Sequence, residues 1–404
     1  MNKNIYYLGF VSLFTDLASA MITPILPIYI VYVLHDSIDK LGVVVAMATF
    51  VSYFFRILFG YLSDKYQITK PFILVGYLLS AITKPLFAFS SSFANIAILQ
   101  STERLGKAIR SAPKDTLISY YAKENESGKT FGFHKTMDIA GELFGATLIF
   151  LIFYLYGDSV EVFKNIFLLT FIPSLLGVLI VWFLVEDSVP KKGAVKYEFQ
   201  KADYKLFPLL FSYFFFIFFI FSDAFFIIIA KESGYITVFI PLFVIVLTLT
   251  QTLCSYCFGV MNDKKSSAFV LKLSYLFGIF SIVALMFNLL WIGFIFLGIF
   301  TVASLNATRS YISANAINKA SIYGIFYAGI ALFSSLGALS IGYIWHYFGQ
   351  SHALYFSLIG MMIVFIISLL KIDKKRDGTL AQLKHIYFQM KFGNEKSGDS
   401  FSRV

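Results

Sequence analysis

Apolar residues in this chain gather in long uninterrupted blocks, broken by short polar stretches rather than by the regular polar stripe of a surface helix. Roughly 20 apolar residues cross a bilayer as a helix. Blocks of that kind begin near Ile5, Leu41, Phe72, Ala94, Thr130, Phe163, Leu206, Val238, Phe269, Ile292, Ile322 and Ala353. The pattern predicts an all-α membrane protein of twelve spans. The longest polar connection, 186–205, divides a first set of six (1–185) from a second (206–371), and 372–404 forms a polar tail. No connection is long enough for a separate soluble domain. The first block lacks a small-residue cleavage site and is too long for a signal-peptide core, so it is expected to stay attached.

Composition agrees: 58% of residues are hydrophobic and 14% charged, against about half and a quarter in soluble domains. The net charge of +10 does not point to nucleic acid, because the basic residues fall in alternate loops. Lys65, Lys70, Lys123, Lys129, the run 191–205, Lys264, Lys265, Lys319 and the stretch 371–376 share one side; Lys40, Lys164 and Lys231 lie on the other. The positive-inside rule then makes both termini cytoplasmic. Cys254 and Cys257 lie inside the eighth block, where two small apolar side chains on one helix face are the expected reading.

Within the blocks, charges are costly and face a cavity or a partner. Asp16 and Asp223 occupy equivalent places in the two halves. The sequence Gly60-Tyr-Leu-Ser-Asp64 recurs as Gly259-Val-Met-Asn-Asp263, Arg104 matches Arg309, and Gly145 matches Gly337, all at nearly constant separation. Two parallel six-helix repeats around a central site are the architecture of a rocking transporter.

The Gly60–Asp64 loop pattern, with Lys65 after it and its echo, resembles that of the major facilitator superfamily over nearly the whole chain. Glu103-Arg104-Leu-Gly106-Lys107-Ala-Ile-Arg110-Ser-Ala-Pro113-Lys114-Asp115, followed by Phe131-Gly132-Phe133-His134-Lys135-Thr-Met137-Asp138 and Gly141, is similar to a bacterial efflux-like branch. Some relatives in that branch are linked to siderophore traffic. The resemblance implies export and a cytoplasmic (inner) membrane location. Three departures stand out. Ala20 replaces an acid usual in the branch, Glu142 replaces a small residue, and Ala146 replaces the proline of an antiporter motif. The first two suggest an acid moved from span one to span five.

Helical spacing puts Glu103, Lys107, Arg110 and Lys114 on one face of span four. That row suits either an anion-attracting wall or a charge network bracing helix ends, and Arg104, lying deeper, suits the cavity. In span five, Lys135, Asp138 and Glu142 share a face, and His134 stands one turn before Asp138, as a proton relay or as an interfacial pair. Arg56 and Lys84 are single cations in spans two and three, at least one of them expected to pair with Asp16 or Asp138. Gly60, Asp64, Gly259 and Asp263 are expected to latch neighbouring helices in one conformation and release them in another.

The candidate proton or substrate cavity is therefore Asp16, Arg56, Lys84, Arg104, His134, Asp138, Glu142, Asp223 and Arg309. No nucleotide loop, metal motif or nucleophile elbow occurs, so no cofactor, metal or enzymatic activity is expected. The reading is a monomeric secondary transporter moving a small solute, with an anionic solute as one candidate, coupled to protons within the lipid bilayer. Proton-coupled export leads, uptake of an anionic molecule or metal chelate is the alternative, and a non-transporting receptor or scaffold is the rival of another class.

Overall fold

The computed structural model describes residues 2–122, 127–187 and 201–370. Among the described residues twelve helices carry the chain to and fro: α1 (Lys3–Val33), α2 (Ile38–Tyr66), α3 (Lys70–Leu86), α4 (Phe93–Tyr121), α5 (Ser127–Tyr156), α6 (Val160–Phe183), α7 (Asp203–Glu232), α8 (Ile240–Lys264), α9 (Ser267–Met286), α10 (Leu290–Asn315), α11 (Lys319–Phe348) and α12 (Gln350–Leu370). Eleven of these are long and apolar enough to cross a membrane. The exception is α4, whose central charged residues lower its apolarity although its 29 residues exceed the required length. Part of its charge is accommodated by burial within the protein: Glu103 and Arg110 are buried.

Small residues let the helices approach closely, the main packing device where lipid supplies no hydrophobic drive between helices. A Cβ on Gly76 would lie 2.6 Å from the Gly106 carbonyl, so α3 and α4 meet backbone to backbone. Gly141 and Gly145 of α5 press on the carbonyls of Leu13 and Leu17 in α1. In the second bundle, Gly337 of α11 presses in the same way on the Phe218 carbonyl of α7. The matched glycines Gly145 and Gly337 therefore serve matched contacts, each against the first helix of its own bundle.

The bundles meet through α2 with α11, α5 with α8, and the outer halves of α1 and α7. The contacts cluster at the distal end, away from the 187–201 connection. There Gly42 abuts Ala338 and Gly342, and the Ser335 hydroxyl donates to the Ala46 carbonyl at 2.9 Å. Beside them, His346 stands 3.8 Å from Asp39 and Phe150 stacks on Phe239. Behind this seal lies an apolar core joining both halves, with Ile25, Ile28 and Tyr29 of α1 and Phe221, Phe225 and Phe226 of α7. Many of the clustered phenylalanines thus fill the core: Phe214, Phe216 and Phe225 are buried, whereas Phe211 and Phe215 are exposed.

Helices α1 and α7 are both broken. The α-helical run of α1 stops at Ile22, turns through Pro24, and resumes at Leu26 with a π-turn over Tyr29–Val33. That of α7 stops at Phe219 and resumes at Asp223. Broken helices at membrane depth free backbone groups that must line a cavity or be buried in protein. They mark where the site lies.

Candidate functional site

Two breaks and one charged helix enclose a cavity of about 300 Å³ between the bundles. Thr23, Pro27 and Ile30 of α1, Ser222 and Asp223 of α7, Ser52, Tyr53 and Arg56 of α2, and Gln100, Arg104 and Lys107 of α4 contribute to its wall. The volume is at the lower end of the range for small-molecule sites. Hydroxyl and amide groups, three cations and one carboxylate line it.

Asp223 opens the second segment of α7, its Oδ1 accepting from the Ala224 amide at 3.0 Å. The charge it senses most is that of Arg104, across the bundle interface. Arg104 also stands 3.6 Å from Glu103. Asp16 lies elsewhere. It sits within unbroken helix, in the field of Lys107, Lys114, Arg110 and the acid Asp138. Glu142 lies in the field of the same group, with Asp16, Lys135, Lys107 and Asp138 as the charges acting on it. Asp16 and Asp223 are thus equivalent in sequence but not in surroundings: one belongs to a charge cluster inside the first bundle, the other to the wall between bundles.

The cluster is held by hydroxyl and imidazole contacts. Ser12 Oγ accepts from Lys114 Nζ at 3.0 Å and lies 3.2 Å from His134 Nε2. The same imidazole nitrogen stands 3.7 Å from Asp138 Oδ1, and Lys135 approaches the other Asp138 oxygen at 4.0 Å. A chain Lys114–Ser12–His134–Asp138 therefore runs between α4, α1 and α5.

Several expected partners differ from those observed. Lys84, fully buried, pairs with Glu103 at 3.6 Å instead of with Asp16 or Asp138. Two charges left in a protein interior need each other, and Glu103 on neighbouring α4 is nearer. Among the described residues Arg56 pairs with no acid; its guanidinium lies 5.4 Å from the centres of the Tyr53 and Tyr327 rings. Arg110 belongs to the bracing network, donating to Ser80 Oγ at 2.6 Å and to the Gly76 carbonyl at 3.2 Å over the Tyr77 ring. Arg309, unlike its counterpart Arg104, is not in the cavity wall; it donates to the Tyr327 hydroxyl at 3.2 Å. Ala20 packs its methyl against Gly145, one turn along α5 from Glu142. The two positions share the α1–α5 contact.

Of the latch residues, Gly60 approaches Ala112 of α4, while no described residue lies near the missing Cβ of Gly259. Asp64 is exposed at the end opposite the seal, and the Asp263 side chain lies outside the described residues. No cluster able to hold a metal is found among the described residues, and Cys254 and Cys257 are both free thiols. Lys107, Tyr53, Gln100 and Tyr327 escaped the candidate set. Lys107 carried a usable signal, its shared face with Glu103; the others are uncharged or distant in sequence.

Twelve helices in two repeated bundles around a cavity at paired helix breaks define a membrane transporter fold. The model of the Major Facilitator Superfamily matches residues 8–287, and the chain belongs to that family. It is 31% identical over 389 residues to an uncharacterised MFS-type transporter of Methanocaldococcus jannaschii, covering 91% of this chain and 95% of that one. The crystal structure of the nucleoside transporter NupG shares the fold with a TM-score of 0.73 at 15% identity, covering 92% of this chain and 99% of that chain. A POT family transporter in complex with a thioalcohol-conjugated peptide gives 0.73 at 12% identity, over 92% and 96% of the two chains. The protein is a multi-pass membrane transporter for a small molecule, not an enzyme.

Proposed function

We propose that the protein is a proton-coupled carrier, cycling by alternating access and moving a small solute that bears an anionic group. The observation that carries the reading is the separation of two charge systems. Asp16, Asp138 and Glu142 gather with His134, Lys107 and Lys114 inside the first bundle. The intervening cavity instead offers Arg56, Arg104 and Lys107 to a ligand. A carboxylate that alternates between a proton and a neighbouring ammonium is what coupling requires, and Lys107, common to both systems, links the two. One charge moved through 100 mV supplies about 2.3 kcal/mol, enough for roughly fifty-fold accumulation.

The sequence resemblance to an efflux-like branch favours export across a bacterial inner membrane with both termini inside. The cation-lined wall favours a second direction, uptake of an anionic molecule or a metal chelate. Metabolite and metal profiling of a deletion strain separates them, since retention in cells means export and failure to accumulate means uptake.

The coupling itself is tested in proteoliposomes under an imposed proton gradient. Asp16→Asn is expected to insert and fold normally but to lose gradient-driven transport at least tenfold. Retained proton-driven accumulation would make Asp16 a structural acid and sink the coupling role.

A further inference from the structure

One aromatic side chain in the described structure receives guanidinium groups from both bundles. Tyr327 of α11 stacks on Tyr53 of α2, with ring centres 6.1 Å apart and planes 21° from parallel, and so bridges the two halves. Arg56 of α2 places its guanidinium carbon 5.4 Å from the Tyr327 ring centre. Arg309 of α10 places its own 6.0 Å from the same centre and donates to the Tyr327 hydroxyl at 3.2 Å. The Tyr323 hydroxyl donates to the Arg309 carbonyl at 3.1 Å, fixing that turn of α10 against α11.

The charges here do not balance. Asp115, exposed on α4, is the acid whose field reaches both guanidiniums, yet no ion pair with either is found among the described residues. The Nε atoms of Arg56 and Arg309 are both buried without a hydrogen-bond partner. Buried donors of this strength left unpaired cost about 1–3 kcal/mol each, and two like charges converging on one ring repel. The aromatic faces offset part of that through cation–π attraction. What they cannot supply is an acceptor in the guanidinium plane. A planar guanidinium fork matches carboxylate or phosphate oxygens two at a time. Arg56 also lines the cavity, so an anion can reach it from the space the solute occupies.

We infer that Arg56 and Arg309 form an oxyanion clamp between the bundles, which receives a carboxylate or phosphate group of the solute and ties α2 to α10 and α11. The clamp deepens the proposed function, resting on its anionic-solute part and not on its proton-coupling part. It also gives the solute leverage over the transport cycle. Without the anion the two cations push the bundles apart at this level; with it they are drawn together, a differential interaction of the kind a conformational change requires.

The test uses the full-length protein in a neutral detergent free of added lipid. Citrate and inorganic phosphate are titrated at constant ionic strength against chloride, and thermal stability is read as a function of anion concentration. Saturable stabilisation of the wild type is expected. Arg56→Gln and Arg309→Gln should each weaken the apparent affinity about 10- to 100-fold, the loss of one charge-assisted contact, and the double variant should lose little more than either single. Arg56→Lys, which keeps the charge but not the fork and guards against misfolding of the Gln variant, should fall between. Stabilisation that survives both Gln variants but disappears in Arg104→Gln puts the anion in the cavity and overturns the clamp while leaving the anionic solute standing. Stabilisation produced by added phosphatidylglycerol but by neither soluble anion makes the pair a headgroup site and overturns its role toward solute. Absence of any saturable effect overturns clamp and anionic solute together; proton coupling is scored separately by the Asp16→Asn flux experiment.

Discussion

Lys84 and Glu103 show how a single buried charge commits its neighbours. Lys84 is fully buried in α3, and Glu103 in α4 is its ion-pair partner. Removing one member of such a pair leaves an uncompensated charge in the interior, which costs about 3–5 kcal/mol, whereas replacing both with apolar groups of similar size is often neutral. Glu103→Gln is therefore expected to lower thermal stability in detergent severely, and Lys84→Met combined with Glu103→Leu to recover most of it. A Glu103→Gln protein as stable as wild type would mean that Lys84 finds another partner, Asp16 being the next acid in its field. The sequence made half of this visible. Spacing along α4 set Glu103, Lys107, Arg110 and Lys114 on one face, because a helix obeys a fixed period. The partner of Lys84 was not legible, since it depends on which turn of α4 meets which turn of α3. That register is fixed by the backbone contact between Gly76 and Gly106, neither of which carries a charge.

At the scale of helices, glycines divide into those already in contact and those with space around them. Gly145 and Gly337 meet the carbonyls of Leu17 and Phe218, and any side chain there must push α5 off α1 or α11 off α7. Gly145→Val is expected to destabilise by more than about 2 kcal/mol, within the range of overpacked core substitutions, and to reduce the yield of monodisperse protein. Gly259 has nothing near its missing Cβ, so Gly259→Val should leave folding close to wild type. If Gly259 closes on a neighbouring helix elsewhere in the cycle, the same variant still slows transport. Normal transport by Gly259→Val would remove Gly259 from the latch. The repeat match between Gly145 and Gly337 was readable because equivalent helices of a duplicated bundle keep equivalent contacts. Gly60 and Gly259 also match in sequence, yet a side chain on Gly60 would meet Ala112 whereas one on Gly259 would meet none of the described residues. The same limit separates Arg104 from Arg309, and Asp16 from Asp223: duplication preserves position in the fold, and each bundle has since given that position a different neighbour.

For the molecule as a whole, the twelve-helix plan follows from block length alone, while the conformational state could not, because every state of a carrier has the same blocks. What defines the state is the seal at the distal end, where Gly42 lies against Gly342, Ser335 donates to the Ala46 carbonyl, and His346 stands by Asp39. These contacts join α2 of one bundle to α11 of the other, so access from the distal side requires them to part. A crosslink here should therefore arrest the cycle without disturbing either bundle. A Cβ built on Gly342 would lie 3.1 Å from the Gly42 Cα, so cysteines at the two positions come within reach of a disulfide once the helices adjust slightly. With Cys254 and Cys257 replaced by Ala, the pair Gly42→Cys and Gly342→Cys is expected to crosslink under mild oxidation, to stop transport by at least tenfold, and to regain it on reduction. Each single cysteine serves as the control, since neither can crosslink within one molecule. If the oxidised double variant transports at the rate of the reduced one, the α2–α11 contact does not open during the cycle. Access from the distal side would then have to come through the α5–α8 contact instead, where Phe150 stacks on Phe239.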